Sequence, residues 1–189
     1  MSRSTSASPP EPATLSQPSP LQFMLEDGSQ TVTIRPIEPD DKQLLANGML
    51  ALSDRSIRQR FLSPRTSLTS QELVYLTEVD GSDHFALIAT RADREDVPAA
   101  VARYIRLEDD PLTAEAAVLV ADDLQGVGLG RALSKVLADT ARENGITSFT
   151  ATMQSDNIAA HKLMATINSR FKQRFQGNGV DELSVELGE

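Results

Sequence analysis

The sequence predicts an α+β domain built on one mixed, mostly antiparallel central sheet flanked by helices. Three observations lead there. Between Asp83 and Val120, three apolar runs are joined by short charged or Pro-containing turns, as in an antiparallel meander. From Gly128 onward, helical and strand periodicities alternate instead. The chain then closes with two β-type runs around Gly177-Asn178-Gly179, a hairpin signal.

Taken in order, residues 1–28 are expected to form a disordered Ser/Pro-rich tail. More than half of the first twenty residues are Ser or Pro, which cannot bury enough apolar surface to offset ordering entropy. The remaining span, 29–189, is expected to be one domain. Thr31 to Ile37 alternates with period two and stops at Pro39, a strand. Leu44, Leu45, Met49 and Leu52 recur at helical spacing, and Ser53 can cap a second turn holding Ile57 and Phe61. Thr69-Ser-Gln-Glu72 has capping-box spacing ahead of Leu73 and Leu76. Strands follow at 83–90, 97–107 and 112–120. A helix over 128–144 puts Leu129, Leu133, Val136 and Leu137 on one face and ends at Gly145. A strand at 146–153, a helix at 157–167 and the closing hairpin complete the order.

Composition removes several classes of function. The chain of 189 residues has no Cys, which excludes disulfides, thiolate metal sites and a thiol nucleophile. With only His84 and His161, a His-rich metal centre is excluded too, so no metal is expected. A net charge of -9 repels phosphate backbones, and aromatics at 4% leave little for base stacking, so nucleic acid is not an expected partner. No run reaches the roughly 18 apolar residues that span a bilayer, and Arg3 precedes no apolar signal segment. The expectation is therefore a cytoplasmic protein that does not engage membranes.

The most informative stretch is Asp123-Leu-Gln-Gly-Val-Gly-Leu-Gly-Arg131, between the β run ending at Val120 and the amphipathic helix. Gly126, Gly128 and Gly130 strip side chains from the turn, so successive N–H groups can converge on one anion, assisted by the helix N-terminus. This reads as a pyrophosphate cradle; the competing reading is a glycine-rich turn without a ligand. A Walker loop is ruled out because no Lys-Ser/Thr pair follows the glycines. The dinucleotide fingerprint fails because Arg131 or Leu133 stands where its last glycine belongs. What fits is Gln-x-x-Gly-x-Gly, as Gln125, Gly128 and Gly130.

That segment closely resembles the coenzyme A signature of the Gcn5-related N-acetyltransferases (GNAT family), and the resemblance runs over roughly residues 31–187. Within the family it looks most like the bacterial Pat-type protein lysine acetyltransferase domains. They share the Ser53-Asp-Arg-Ser56 helical opening leading to Arg60-Phe61, the Val101 to Tyr104 strand, and the Glu115 to Asp122 run. The resemblance implies a GNAT fold with a sheet split in its middle, and acetyl-CoA as cosubstrate. The residues it would assign to coenzyme A are Val118, Leu119, Val120, Gln125, Gly126, Val127, Gly128, Leu129, Gly130, Arg131 and Asn157. It also implies an amine acceptor, a protein lysine or a small amine.

Acetyl transfer needs a neutral amine, so some group must take a proton; the oxyanion needs donors and the leaving thiolate a proton. Glu115 is the only charged residue in 112–120, and burial there would raise its pKa toward a base's range. Pat-type domains carry their base at this position; the alternative is a solvent-facing glutamate. Asn157 fits the family's Asn and is equally an N-cap. Where many relatives carry a proton-donating Tyr, this chain has Met164, leaving water as the acid, with Tyr104 and His161 as weaker candidates. Arg55, Arg58, Arg60 and Arg65 could meet a 3′-phosphate or an acidic substrate, or form a solvated basic face. A coenzyme A-binding regulator without turnover is the non-enzymatic reading, and Met164 is what favours it.

Overall fold

A computed structural model describes residues 18–188. Eight strands form one sheet in the spatial order β1-β2-β3-β4-β5-β6-β8-β7. They are β1 (Leu21–Met24), β2 (Thr31–Pro36), β3 (His84–Arg91), β4 (Ala100–Arg106), β5 (Thr113–Val120), β6 (Ser148–Gln154), β7 (Phe171–Gly177) and β8 (Val180–Glu186). Five helices flank it: α1 (Lys42–Ala51), α2 (Asp54–Phe61), α3 (Ser70–Thr77), α4 (Leu129–Glu143) and α5 (Ile158–Ile167). Every neighbouring strand pair is antiparallel except β5 with β6. This is the expected mixed, mostly antiparallel α+β architecture.

One boundary differs from expectation. β1 lies inside the span read as tail and pairs with β2 through four residue positions, from Leu21↔Ile34 to Met24↔Thr31. The following Leu25 is 1% exposed in the main core. Ordered structure therefore begins before residue 28, because a four-residue strand gains its hydrogen bonds from β2 and needs no amphipathic pattern of its own. Residues 1–17 of the expected tail lie outside the described residues.

The helix boundaries follow from local chemistry. Ser53 caps α2 by accepting from the Ser56 N–H at 3.3 Å. Thr69 and Glu72 exchange the two bonds of a capping box, at 3.2 and 2.8 Å. α4 ends at Gly145, whose φ of +77 is a left-handed conformation that side chains resist.

The two faces of the sheet are packed by different helices. One face builds the main core with α4 and α5, burying Leu129, Leu133, Leu137, Phe149, Met164 and Leu183. Each such large apolar side chain contributes about 1.5–3 kcal/mol relative to exposure. The other face carries Ile37, Leu45, Ala86 and Ile88, covered from α1 and α3.

Side chains alternate along β5, so the strand serves both layers. Ala116, Val118 and Val120 pack toward the main core, while Arg103 and Val101 on β4 stand opposite Ala117 and Leu119. β5 pairs with β6 only from Thr113↔Ser148 to Glu115↔Thr150. From Ala116 onward the two strands part, and the sheet opens into a wedge.

Candidate active site

The wedge is the mouth of a cavity of about 690 Å³. Its walls are Glu115–Val120 of β5, Ala151–Met153 of β6, the glycine loop, and Ala160, Leu163 and Met164 of α5. The open edge of β5 offers backbone groups that no neighbouring strand takes up. Val118, Leu119 and Val120 lie on this edge.

At the foot of the wedge the glycine loop turns into α4. Gly126 and Gly128 adopt φ of +83 and +84, and Gly128 is the N-cap without any side-chain cap. The first N–H groups of α4 are consequently left for an external acceptor. A Cβ built on Gly128 would lie 2.3 Å from Oε1 of Glu26, which reaches over from the β1–β2 turn. Glu26 pairs with Arg131 and donates its N–H to the Val127 carbonyl at 3.0 Å. The Glu26 side chain thus fills the space beside Gly128 and pairs with Arg131 at the foot of the wedge.

The remaining loop residues divide by role. Leu129 is 1% exposed and packs in the core, and Val127 packs beside it, so both face the cradle only through their backbones. Gln125 turns back to bond Ser56 Oγ and the Val120 carbonyl at 3.2 and 3.3 Å. It braces the loop from behind. A Cβ at Gly130 would meet Val120 of β5 and Leu163 of α5 at ordinary van der Waals distance, 3.5 Å at the closest, so this position has room for a methyl group.

Asp122 ties this loop to α2. Its carboxylate accepts from the Ser53 N–H at 2.8 Å, from Ser53 Oγ at 3.0 Å and from Ser56 Oγ at 2.6 Å. Burial works against its charge, but the bonds from Ser56 and Ser53 outweigh it and hold the carboxyl below the ordinary range. The Ser-rich opening of α2 therefore acts as a latch on the loop.

Asn157 is 8% exposed and caps α5, its Oδ1 accepting from the Ala160 N–H at 3.1 Å. It also lines the wedge. Glu115 stands on the wedge at the last paired position of β5 and is exposed. The expected burial of its carboxylate is not found, because the strands separate at this point and admit solvent.

The side chains weighed as proton donors are placed elsewhere. Tyr104 is fully buried, donating to the Ser82 carbonyl at 3.1 Å and accepting from Asn144 Nδ2 at 2.6 Å. His161 is half-buried and faces Asp181 at 3.5 Å, away from the wedge. Met164 does line it. The basic cluster is divided too: Arg55 and Arg58 are exposed, Arg65 pairs with Glu72 at 2.5 Å, and Arg60 turns inward.

A second cavity, about 290 Å³, lies on the opposite face of β4 and β5 under α1, α2 and α3. It meets the wedge at Arg60, Phe61, Ala117 and Leu119, which line both. Its floor holds Arg103, 5% exposed, which sequence reasoning treated only as part of a strand. The signal that singled out Glu115, one charge in an apolar run, was present around Arg103 as well.

Among the described residues no group of His and acidic side chains is arranged to hold a metal, and no helix is long and apolar enough to cross a membrane.

Split strand, bare-amide turn and helix N-terminus meet in this one wedge, and comparison with known proteins gives the class of protein that carries it. Residues 54–167 match the model of the acetyltransferase (GNAT) family, and the chain belongs to that family. Acetyltransferase Pat of Mycolicibacterium smegmatis is 34% identical over 152 residues, 80% of this chain. This chain spans about half the length of that relative, 45%. The GNAT domain of PAT from S. lividans superposes with a TM-score of 0.78 at 31% identity, covering 89% of this chain and 97% of that domain. The fold is shared more distantly by an acetyltransferase of Salmonella typhimurium solved with its cofactor acetyl-CoA (TM-score 0.65, 21% identity, 84% and 95% covered). The chain is thus an acetyltransferase domain of the GNAT class.

Proposed function

We propose that this chain transfers an acetyl group from acetyl-CoA to an amine, a protein lysine side chain in the first instance, in the cytoplasm. The observation that carries the reading is the wedge between β5 and β6 set directly above an uncapped glycine turn. Bound acetyl-CoA supplies the activated thioester. The amides of Gly126 to Arg131 hold its diphosphate, with the Arg131 side chain released from Glu26 to assist. The free edge at Val118 to Val120 receives the pantetheine arm and offers an N–H to the developing oxyanion. Asn157 holds the start of α5 beside that arm.

Glu115 takes the proton the amine must lose, directly or through water. The C–N bond then forms as the C–S bond breaks, and water protonates the departing thiolate. Glu115 is an exposed side chain on the wall of the wedge. Its contribution is position, at the point where the wedge opens toward the second cavity.

Lysine is preferred as acceptor because the likeness to Pat extends over most of this chain. Thiol release from acetyl-CoA, measured against lysine peptides, acyl-CoA synthetase proteins and small amines, tests the reading. Release above the acceptor-free rate is expected, together with thermal stabilisation by acetyl-CoA. Stabilisation without any acceptor-dependent release would identify a coenzyme A-binding regulator instead.

A further inference from the structure

The second cavity is walled by Leu45, Met49, Leu52, Leu68, Leu76 and Val101, yet it contains two guanidiniums, those of Arg60 and Arg103, that make no ion pair; the one carboxylate that acts on Arg60 is that of Glu115, across the wedge. Arg103 is held by neutral groups only: Nη1 donates to His84 Nε2 at 3.0 Å and Nη2 to the Leu76 carbonyl at 3.2 Å. Arg60 stacks on Phe61, 5.1 Å from the ring centroid. Among the described residues, every ion pair is made by some other cation. The carboxylates on the cavity wall are engaged elsewhere, Asp122 with Ser53 and Ser56, Asp123 with Arg91 at 2.8 Å.

Arg91 shows what compensation looks like on the same wall. It is 4% exposed and has two acidic partners, Asp93 and Asp123. Arg103 is buried and Arg60 half-buried beside it, and neither has an ion-pair partner. Burial, and after it the neighbouring Arg60, pull Arg103 down to about 10, still cationic at neutral pH. Burial and then Arg103 push His84 down to about 4, so it stays neutral and can accept from the guanidinium. Two like charges close together in a largely apolar cavity are costly, and a ligand that brings a counter-charge to both reduces the cost. A guanidinium fork is matched by a planar carboxylate.

We infer that this cavity is the acceptor's carboxylate subsite: the acceptor presents a carboxylate to Arg60 and Arg103 while its amine crosses to Glu115 through the gap at Ala117 and Leu119. The inference rests on the acetyl-transfer reading and narrows its substrate class to amines bearing a nearby carboxylate. The carboxylate can come from the α-carboxyl of a free amino acid or from an acidic neighbour of a protein lysine. A volume of about 290 Å³ suits one side chain or one amino acid.

The test is acetyl-CoA thiol release with matched pairs: apolar L-amino acids against their amides, and lysine peptides flanked by Glu against the same peptides flanked by Gln. In at least one pair the carboxylated member is expected to show a kcat/KM at least tenfold higher. The pair that responds identifies the source. Arg60→Gln and Arg103→Gln should each erase that ratio, with the thermal shift from acetyl-CoA retained. If Arg103→Gln does not fold, Arg60→Gln and Arg103→Lys carry the test, the lysine keeping charge but losing the fork and at least half of the preference. Equal turnover within every pair, a preference for phosphoethanolamine over the amino acids, or a ratio unchanged in Arg60→Gln would overturn the subsite while leaving acetyl transfer intact. Absence of transfer to every acceptor would instead remove the parent reading.

Discussion

The two cavities that meet at β5 are made in opposite ways. The wedge is largely backbone: an unpaired strand edge, glycines at positive φ, and a helix start without a side-chain cap. The helix-roofed cavity is made by side chains gathered from α1, α2, α3, β4 and β5, and among its charged groups the two arginines without an ion pair stand forty-three positions apart in sequence. A ligand common to a whole family can be met by peptide groups, which every sequence has. Acceptor choice needs side chains, and these can change without disturbing the fold.

Four measurements would break or sharpen that contrast. Glu115→Gln is expected to have the largest effect, lowering kcat by about 10²–10³-fold while acetyl-CoA still protects the protein from heat. Full activity across pH would remove the base from this position. Gly128→Ala should raise the KM for acetyl-CoA by about tenfold, because φ of +84 strains any side chain by about 1–2 kcal/mol. Since the clash is with the movable end of Glu26, the double variant with Glu26→Ala should recover only part of the loss. Complete recovery would mean that backbone conformation is not what matters there.

Asp122→Ala should cost about 1–2 kcal/mol in chemical denaturation by freeing α2 from the loop. It should also loosen both cavities, since α2 brings Arg60 to one and the loop forms the foot of the other. The smallest effect concerns His84. Its folded pKa of about 4 lies below the ordinary value of 6.5, so the unfolded chain takes up a proton first as pH falls. Stability from this residue is complete above about pH 6.5 and is lost progressively down to about pH 4. His84→Gln keeps an acceptor for Arg103 and should flatten that portion of the pH–stability curve. An unchanged curve would show that His84 is not the titrating group.

The same contrast explains what was legible in the sequence. The caps at Ser53, Thr69 and Asn157 are local, each decided within a few residues, and all three form as read. The turn at Gly126 and Gly128 is local in the same way, since positive φ is a property of consecutive backbone. β1 was missed because Leu21–Met24 is a strand only by virtue of β2. The exposure of Glu115 was the second of two readings, because apolar neighbours suggest burial, whereas the parting of β5 from β6 is a property of two strands together. Arg60 was read with its exposed neighbours Arg55 and Arg58; only the turn of α2 above β5 separates them.

Side-chain alternation in β5 has a consequence for how the chain can vary. Ala117 and Leu119 look toward the arginines, while Ala116, Val118 and Val120 look toward the core beside the cradle. Inserting or deleting one residue between Thr113 and Ala116 would reverse every one of these directions at once relative to the paired start of the strand, sending each wall into the other's chamber. Point substitutions in this strand can therefore be absorbed one at a time, whereas its length can change only in steps of two.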